Sequence, residues 1–160
     1  RDAQESRGLG DVYKRQSLYR LAFSITRNSS DAQEAVAEAV CRAYERYPQL
    51  REKEKLPRWL LKITANEARR LCQRRGRTVS WDDLPTEPAI PGRETGDDTL
   101  WQAVQTLPRD QREAVVLFYY EDLPTEEIAR IVGTSPGAVR VRLSRAREKL
   151  RSILKEGDYG

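Results

Sequence analysis

The chain has 160 residues, 29 Lys+Arg against 25 Asp+Glu, no His and a net charge of +4; at 38% hydrophobic and 34% charged it can bury one ordinary core or two small ones beneath a charged surface. The lack of His excludes imidazole chemistry, and two distant cysteines, Cys41 and Cys72, suggest neither a zinc site nor a disulfide framework, which fits a reducing compartment. The longest apolar run, Ala114 to Tyr120, is far below the ~20 residues that cross a bilayer, and no basic segment followed by an apolar run resembles a signal peptide, so a cytoplasmic protein without membrane insertion is expected.

Residues 1–16 (RDAQESRGLGDVYKRQ) hold no sustained apolar period and resemble translated sequencing-adaptor sequence, so this leader is set aside from functional reasoning. From Ser17 the pattern turns helical, with Leu18, Leu21, Ala22 and Ile25 on one face until Asn28 to Ser30 interrupt it. Ser30 and Gln33 form a capping-box pattern that predicts a helix from Asp31 to about Arg46. Its expected buried stripe is Ala32, Val36, Ala39, Val40, Ala43 and Tyr47, and acids near its start complement the helix dipole. Pro48 ends it, a charged loop follows, and Pro57 opens a third helix through Leu60, Ile63, Thr64 and Leu71 that leaves on a basic QRRGR exit. The cysteines lie beside apolar helix positions and read as buried small hydrophobes.

Residues 78–98 read as a flexible linker. Three prolines, two glycines and, from Trp81 onward, six acids against one base mark it. Beyond it, Leu100, Val104 and Leu107 mark a short helix, Pro108 starts another carrying Val115, Val116, Phe118 and Tyr119, a third follows Pro124 and a fourth begins at Ser135. No repeat and no strand alternation is present, so the expected fold is all-α: two small helical domains, residues 17–77 and 99–156, joined by an acidic linker.

The most informative stretch is TEEIARIVGTSPGAVRVRLSRAREKL. Ala129, Gly133 four residues on and Val139 ten residues on have the spacing of a helix-turn-helix: a small residue for close helix approach, a glycine for positive φ in the turn, and a valine packing the second helix back on the first. Ser135 is a good N-cap and Pro136 suits the first helical position. Val139, Leu143, Ala146 and Leu150 then form an inner stripe, leaving Gly137, Val141, Ser144 and Arg145 outward with Arg140 on their flank. Seven bases against Glu148 alone between Ser135 and Lys155 suit this helix to the DNA major groove.

The segment QREAVVLFYYEDLPTEEIARIVGTSPGAVRVRLSRAREKLR resembles the C-terminal DNA-binding domain of bacterial RNA polymerase sigma factors of the extracytoplasmic-function group, and DAQEAVAEAVCRAYERYPQLREKEKLPRWLLKITANEARRLCQRRGR is similar to that family's promoter-melting domain. The resemblance covers Ser17 to about Leu154 and implies a polymerase subunit that directs promoter recognition and melting, with no catalytic residues, cofactor or metal of its own. It implies that Asp31, Glu34, Glu38 and Arg42 dock on the beta-prime clamp helices. Lys53, Lys55, Arg58, Lys62, Asn66, Arg69, Arg70 and Arg74 would hold the −10 element, with Arg75 and Arg77 also on phosphate. Trp59 is placed to stack on a base, although its neighbours Leu60 and Ile63 favour a core role. In the −35 reader, Ser135, Gly137 and Ala138 form the start of the recognition helix, Arg140, Val141 and Ser144 match base-reading positions, and Arg142, Arg145 and Arg147 match backbone contacts. The beta flap, promoter DNA and an anti-sigma factor complete the implied partners. Two departures from the family stand out: the leader occupies the place of about one further helix, and Pro124 replaces a common capping Ser.

Two other classes compete. A stand-alone helix-turn-helix regulator would use the first half for sensing or dimerisation and would need no polymerase. A carboxylate-metal nuclease has only Asp82, Asp83, Asp97 and Asp98 as candidates, and their place in a Pro/Gly-rich linker argues for solvated charge.

Overall fold

The computed structural model describes residues 13–75 and 98–159, and every regular element among them is helical. They belong to two compact units. The linker expected at 78–98 and its acid cluster lie outside the residues whose side chains are described, as do Arg77 and residues 1–12 of the leader.

In the first unit α1 (Tyr13–Thr26), α2 (Ser29–Arg46) and α3 (Leu56–Arg75) pack against one another. Helix α1 starts four residues before Ser17, taking in Tyr13 to Gln16. Alanine accounts for the closeness of α2: Ala32, Ala35, Ala39 and Ala43 are buried along one stripe and let α1 and α3 approach. Leu18, Leu21 and Ile25 from one side and Leu60, Ile63 and Leu71 from the other fill the space. Buried hydroxyls are satisfied within their own helices, Ser24 Oγ donating to the Leu21 carbonyl at 2.7 Å and Thr64 Oγ1 to the Leu60 carbonyl at 2.8 Å.

Two local expectations change. Helix α2 is capped by Asn28, whose Oδ1 accepts from the Asp31 N–H at 2.9 Å, so Ser30 is already helical and the capping box is not used. Arg27 makes this possible by taking φ 54°, the left-handed step that turns α1 into α2; burial lowers its guanidinium pKa. Cys41 is exposed and Cys72 half-buried. Cys41 sits two residues from both Ala39 and Ala43, about half a turn around α2 from the alanine stripe, and adjacency to apolar residues in sequence does not bury it.

In the second unit α4 (Asp98–Gln105), α5 (Arg109–Val115) and α6 (Thr125–Val132) surround the long α7 (Pro136–Tyr159). Pro108 and Pro124 are the N-caps of α5 and α6 and offer no side-chain hydrogen bond, which at Pro124 follows from the loss of a capping Ser. Trp101, Val104 and Leu107 are buried, whereas Leu100 stays exposed. Helix α5 runs into a π-turn over Val116–Tyr120, where the Glu121 N–H reaches back five residues to the Val116 carbonyl at 3.1 Å. Arg112 is buried and donates to the Leu107 carbonyl at 2.7 Å, closing the end of α4.

Candidate nucleic-acid interface

The turn between α6 and α7 is built as its sequence dictates. Gly133 ends α6 at φ 78°, and its N–H and that of Thr134 both bond to the Ala129 carbonyl, at 2.8 and 3.0 Å. A Cβ at Gly133 would meet nothing within 4 Å, so the glycine answers to the backbone angle and not to space. Ser135 Oγ then accepts from the Ala138 N–H at 3.1 Å, and Pro136 is the first residue of α7. Ala129 and Val139 are both buried where the two helices touch.

The inner stripe Val139, Leu143, Ala146 and Leu150 is buried, which fixes the rotation of α7 about its axis. Arg140, Val141, Ser144 and Arg145 are consequently exposed along the outer face, with Gly137 and Ala138 half-buried at its start. The two remaining candidate arginines are engaged elsewhere. Arg142 lies 3.7 Å from Asp110 at the start of α5. Arg147 Nε donates to the Tyr119 hydroxyl at 2.6 Å, and its guanidinium lies 5.7 and 5.8 Å from the Phe118 and Tyr119 ring centroids. Sequence reasoning missed Asp110 and Tyr119, because both partners come from other helices.

Beside Arg147 a groove of about 270 Å³ opens between α4, α5 and the later half of α7, lined by Leu100, Val115, Tyr119, Leu150 and Leu154 with Arg151 at its edge.

In the first unit Arg58, Lys62, Asn66 and Arg69 recur at intervals of four, four and three residues, placing them on one face of α3. Lys62 and Asn66 are exposed, Asn66 accepts from Arg69 at 3.3 Å, and Trp59 is half-buried next to this face. Of the other −10 candidates, Arg70 pairs with Glu67 at 3.1 Å and Arg74 lies 4.0 Å from Glu34. Lys55 pairs with Glu52 at 2.9 Å. Lys53 folds over its own loop, Nζ donating to the carbonyls of Tyr47 and Leu50 at 3.2 and 2.9 Å and lying 4.0 Å from the Tyr47 ring centroid. That geometry braces the turn between α2 and α3.

Of the four candidates on α2, Glu34 and Glu38 are exposed. Asp31 is buried and bound to Arg75 at 2.5 Å, and Arg75 also lies 3.6 Å from Glu34. Arg42 Nε lies 2.5 Å from the buried carboxylate of Glu67. Ion pairs therefore fasten α2 to α3 at both ends. Glu67 was not singled out from sequence, although its spacing of three from Arg70 is readable there.

Among the described residues no group of three or more His, Cys, Asp or Glu is arranged to hold a metal, and no helix is long and apolar enough to cross a membrane.

Comparison with known proteins gives two family matches: Sigma-70 region 2 over residues 13–78 and Sigma-70 region 4 over residues 97–150. The chain is 32% identical over 146 residues to the RNA polymerase sigma factor SigV of Bacillus subtilis, covering 90% of this chain and 88% of that one. It is 33% identical over 147 residues to the ECF RNA polymerase sigma factor SigE of Mycolicibacterium smegmatis, covering 86% of this chain and 57% of that one. Among solved structures it is similar to the sigma factor RpoE in its co-crystal with the anti-sigma factor NepR from Bartonella quintana, with a TM-score of 0.71 and 28% identity over 86% of this chain and 89% of that one.

Proposed function

Because the chain belongs to the extracytoplasmic-function group of sigma-70 RNA polymerase sigma factors, and so acts in transcription initiation with core polymerase and promoter DNA, we propose the following division of labour among its residues. The outer face of α7 reads the −35 element, with Arg140, Val141 and Ser144 toward base edges and Arg145 on phosphate. The Arg58, Lys62, Asn66 and Arg69 face of α3 holds the −10 strand, with Trp59 beside it as a stacking platform. Glu34 and Glu38 meet the beta-prime clamp helices, while Asp31 and Arg42 hold that surface in place. The groove beside Arg147 suits a partner helix such as that of the beta flap, and an anti-sigma factor is the expected inhibitor. Residues 17–77 and 99–156 act as the two modules, with 78–98 joining them. The protein is non-catalytic and works in the cytoplasm, where its polymerase is.

The observation that carries this reading is the rotation of α7: its core stripe is buried while Arg140, Val141, Ser144 and Arg145 all face solvent. A helix oriented in this way presents bases and small polar groups to a groove without disturbing its own domain. Run-off transcription with purified core polymerase on a randomised promoter library tests it. Enrichment of templates sharing two blocks upstream of the start site is the expected result, and failure to associate with core polymerase at micromolar concentration would refute it. A stand-alone regulator is disfavoured, since both sigma modules are present in order along the chain.

A further inference from the structure

Gly137 stands in the first turn of α7 without a structural reason. Its φ is outside the left-handed region, and an added Cβ would meet only Arg140 Nη2 at 3.9 Å and Ser135 Oγ at 4.0 Å, both ordinary contacts. Alanine would fit, and alanine is the better helix former. What glycine provides is open space on the outer face, one turn before Val141. Val141 is itself unusual, an aliphatic side chain 47% exposed on a face it shares with Arg140, Ser144 and Arg145. The two positions are four residues apart and so lie one above the other. Arg140, whose Nη2 lies beside the vacant Cβ position, forms one wall.

We propose that Gly137 and Val141 form a small apolar notch that receives the C5-methyl group of a thymine in the −35 element, with Arg140 reaching an adjacent base along its wall. A methyl group is the one apolar feature of the major-groove edge, and it is what a short aliphatic side chain can recognise. The inference rests on α7 being the −35 reader and specifies which chemical group part of that helix reads. Val141 and Gly137 are specificity-determining residues in this account, and neither is needed for the fold.

The test uses the full chain with core polymerase. Duplexes are first selected from a library randomised in the upstream block; each thymine of the selected block is then replaced singly by deoxyuridine, which removes only the methyl group. At one position the wild type should lose about fourfold in affinity, the worth of one buried methyl. Val141→Ala should bind thymine and deoxyuridine duplexes equally at that position, and Val141→Ile should retain the preference. Gly137→Ala should keep or raise Tm yet lower affinity for the selected duplex more than for a scrambled one. Selection without methyl sensitivity at any position, or sensitivity that persists in Val141→Ala, would overturn the notch alone. A fall in Tm for Gly137→Ala would assign that glycine to folding and also overturn it. Failure to select any upstream block would overturn the −35 reading and the notch together.

Discussion

The pairing of Arg42 and Arg70 with Glu67 permits a prediction in which the buried member sets the cost. The Glu67 side chain keeps only 7% of its accessible surface, whereas Arg42 keeps 33% and Arg70 50%. Removing the carboxylate with Glu67→Ala leaves two arginines that can reach water, a loss close to that of a partly exposed pair, about 1 kcal/mol. Removing both arginines leaves a buried carboxylate without its countercharges. Stranded buried charges cost 3–5 kcal/mol, and partial relaxation toward solvent places Arg42→Ala/Arg70→Ala near 3 kcal/mol. For a domain of this size that corresponds to a fall in Tm of roughly 12–24 °C. Adding Glu67→Gln to the double variant should recover more than half of the loss, because the neutral amide no longer needs countercharges. Thermal unfolding of the full chain followed by circular dichroism, with urea titration as a second measure, reads all four proteins. If the double arginine variant is no less stable than Glu67→Ala, or Glu67→Gln recovers nothing, the Arg42–Glu67–Arg70 cluster is a surface feature. Arg42 would then return to the list of residues that touch polymerase.

Gly133→Ala should cost about 1–2 kcal/mol, the price of an L-residue in the left-handed region, because the added Cβ meets nothing; calorimetry giving a clearly larger loss would reveal a steric demand. Arg145→Ala should weaken binding to promoter and scrambled duplexes alike and lower the salt slope by roughly one counterion, whereas Arg140→Ala should cost about 1–3 kcal/mol on the promoter alone. Salt titrations in which the two variants behave identically would refute that assignment. Tyr119→Phe removes the acceptor for Arg147 and should lower domain stability by about 1 kcal/mol in urea titration without altering the salt slope for DNA. A reduced slope would mean that Arg147 contacts phosphate after all.

Helix positions and the inner face of α7 were legible in the sequence because both follow from periodicity, which the core enforces residue by residue. The turn from α6 to α7 was legible for a different reason: Gly133, Ser135 and Pro136 each satisfy a local backbone requirement that needs no knowledge of the rest of the chain. What escaped depends on groups far apart in sequence. Arg147 and Asp31 look like surface charge until Tyr119 and Arg75 are placed beside them. The π-turn at Val116–Tyr120 escaped because no residue type signals an i+5 bond. Buried Arg112 and Glu113 escaped too, since a charge pattern alone assigns such residues to solvent. Cys41 is exposed because its angle on the α2 wheel, and not its apolar sequence neighbours, sets its burial.

One continuous helix, α7, carries the proposed reading face at its start and a wall of the apolar groove further along, from Arg147 to Leu154. Within such a rod, side chains can be exchanged freely while length cannot. Inserting or deleting one residue between Ser144 and Leu150 would rotate the two ends against each other by about 100° and slide them by about 1.5 Å. With Leu150 held in the core, Val139 and Leu143 would be turned out of it and a different face of the first half of α7 would point outward. What α7 presents to solvent can therefore be altered by substitution along the helix, whereas a change in its length would break the register between its two ends.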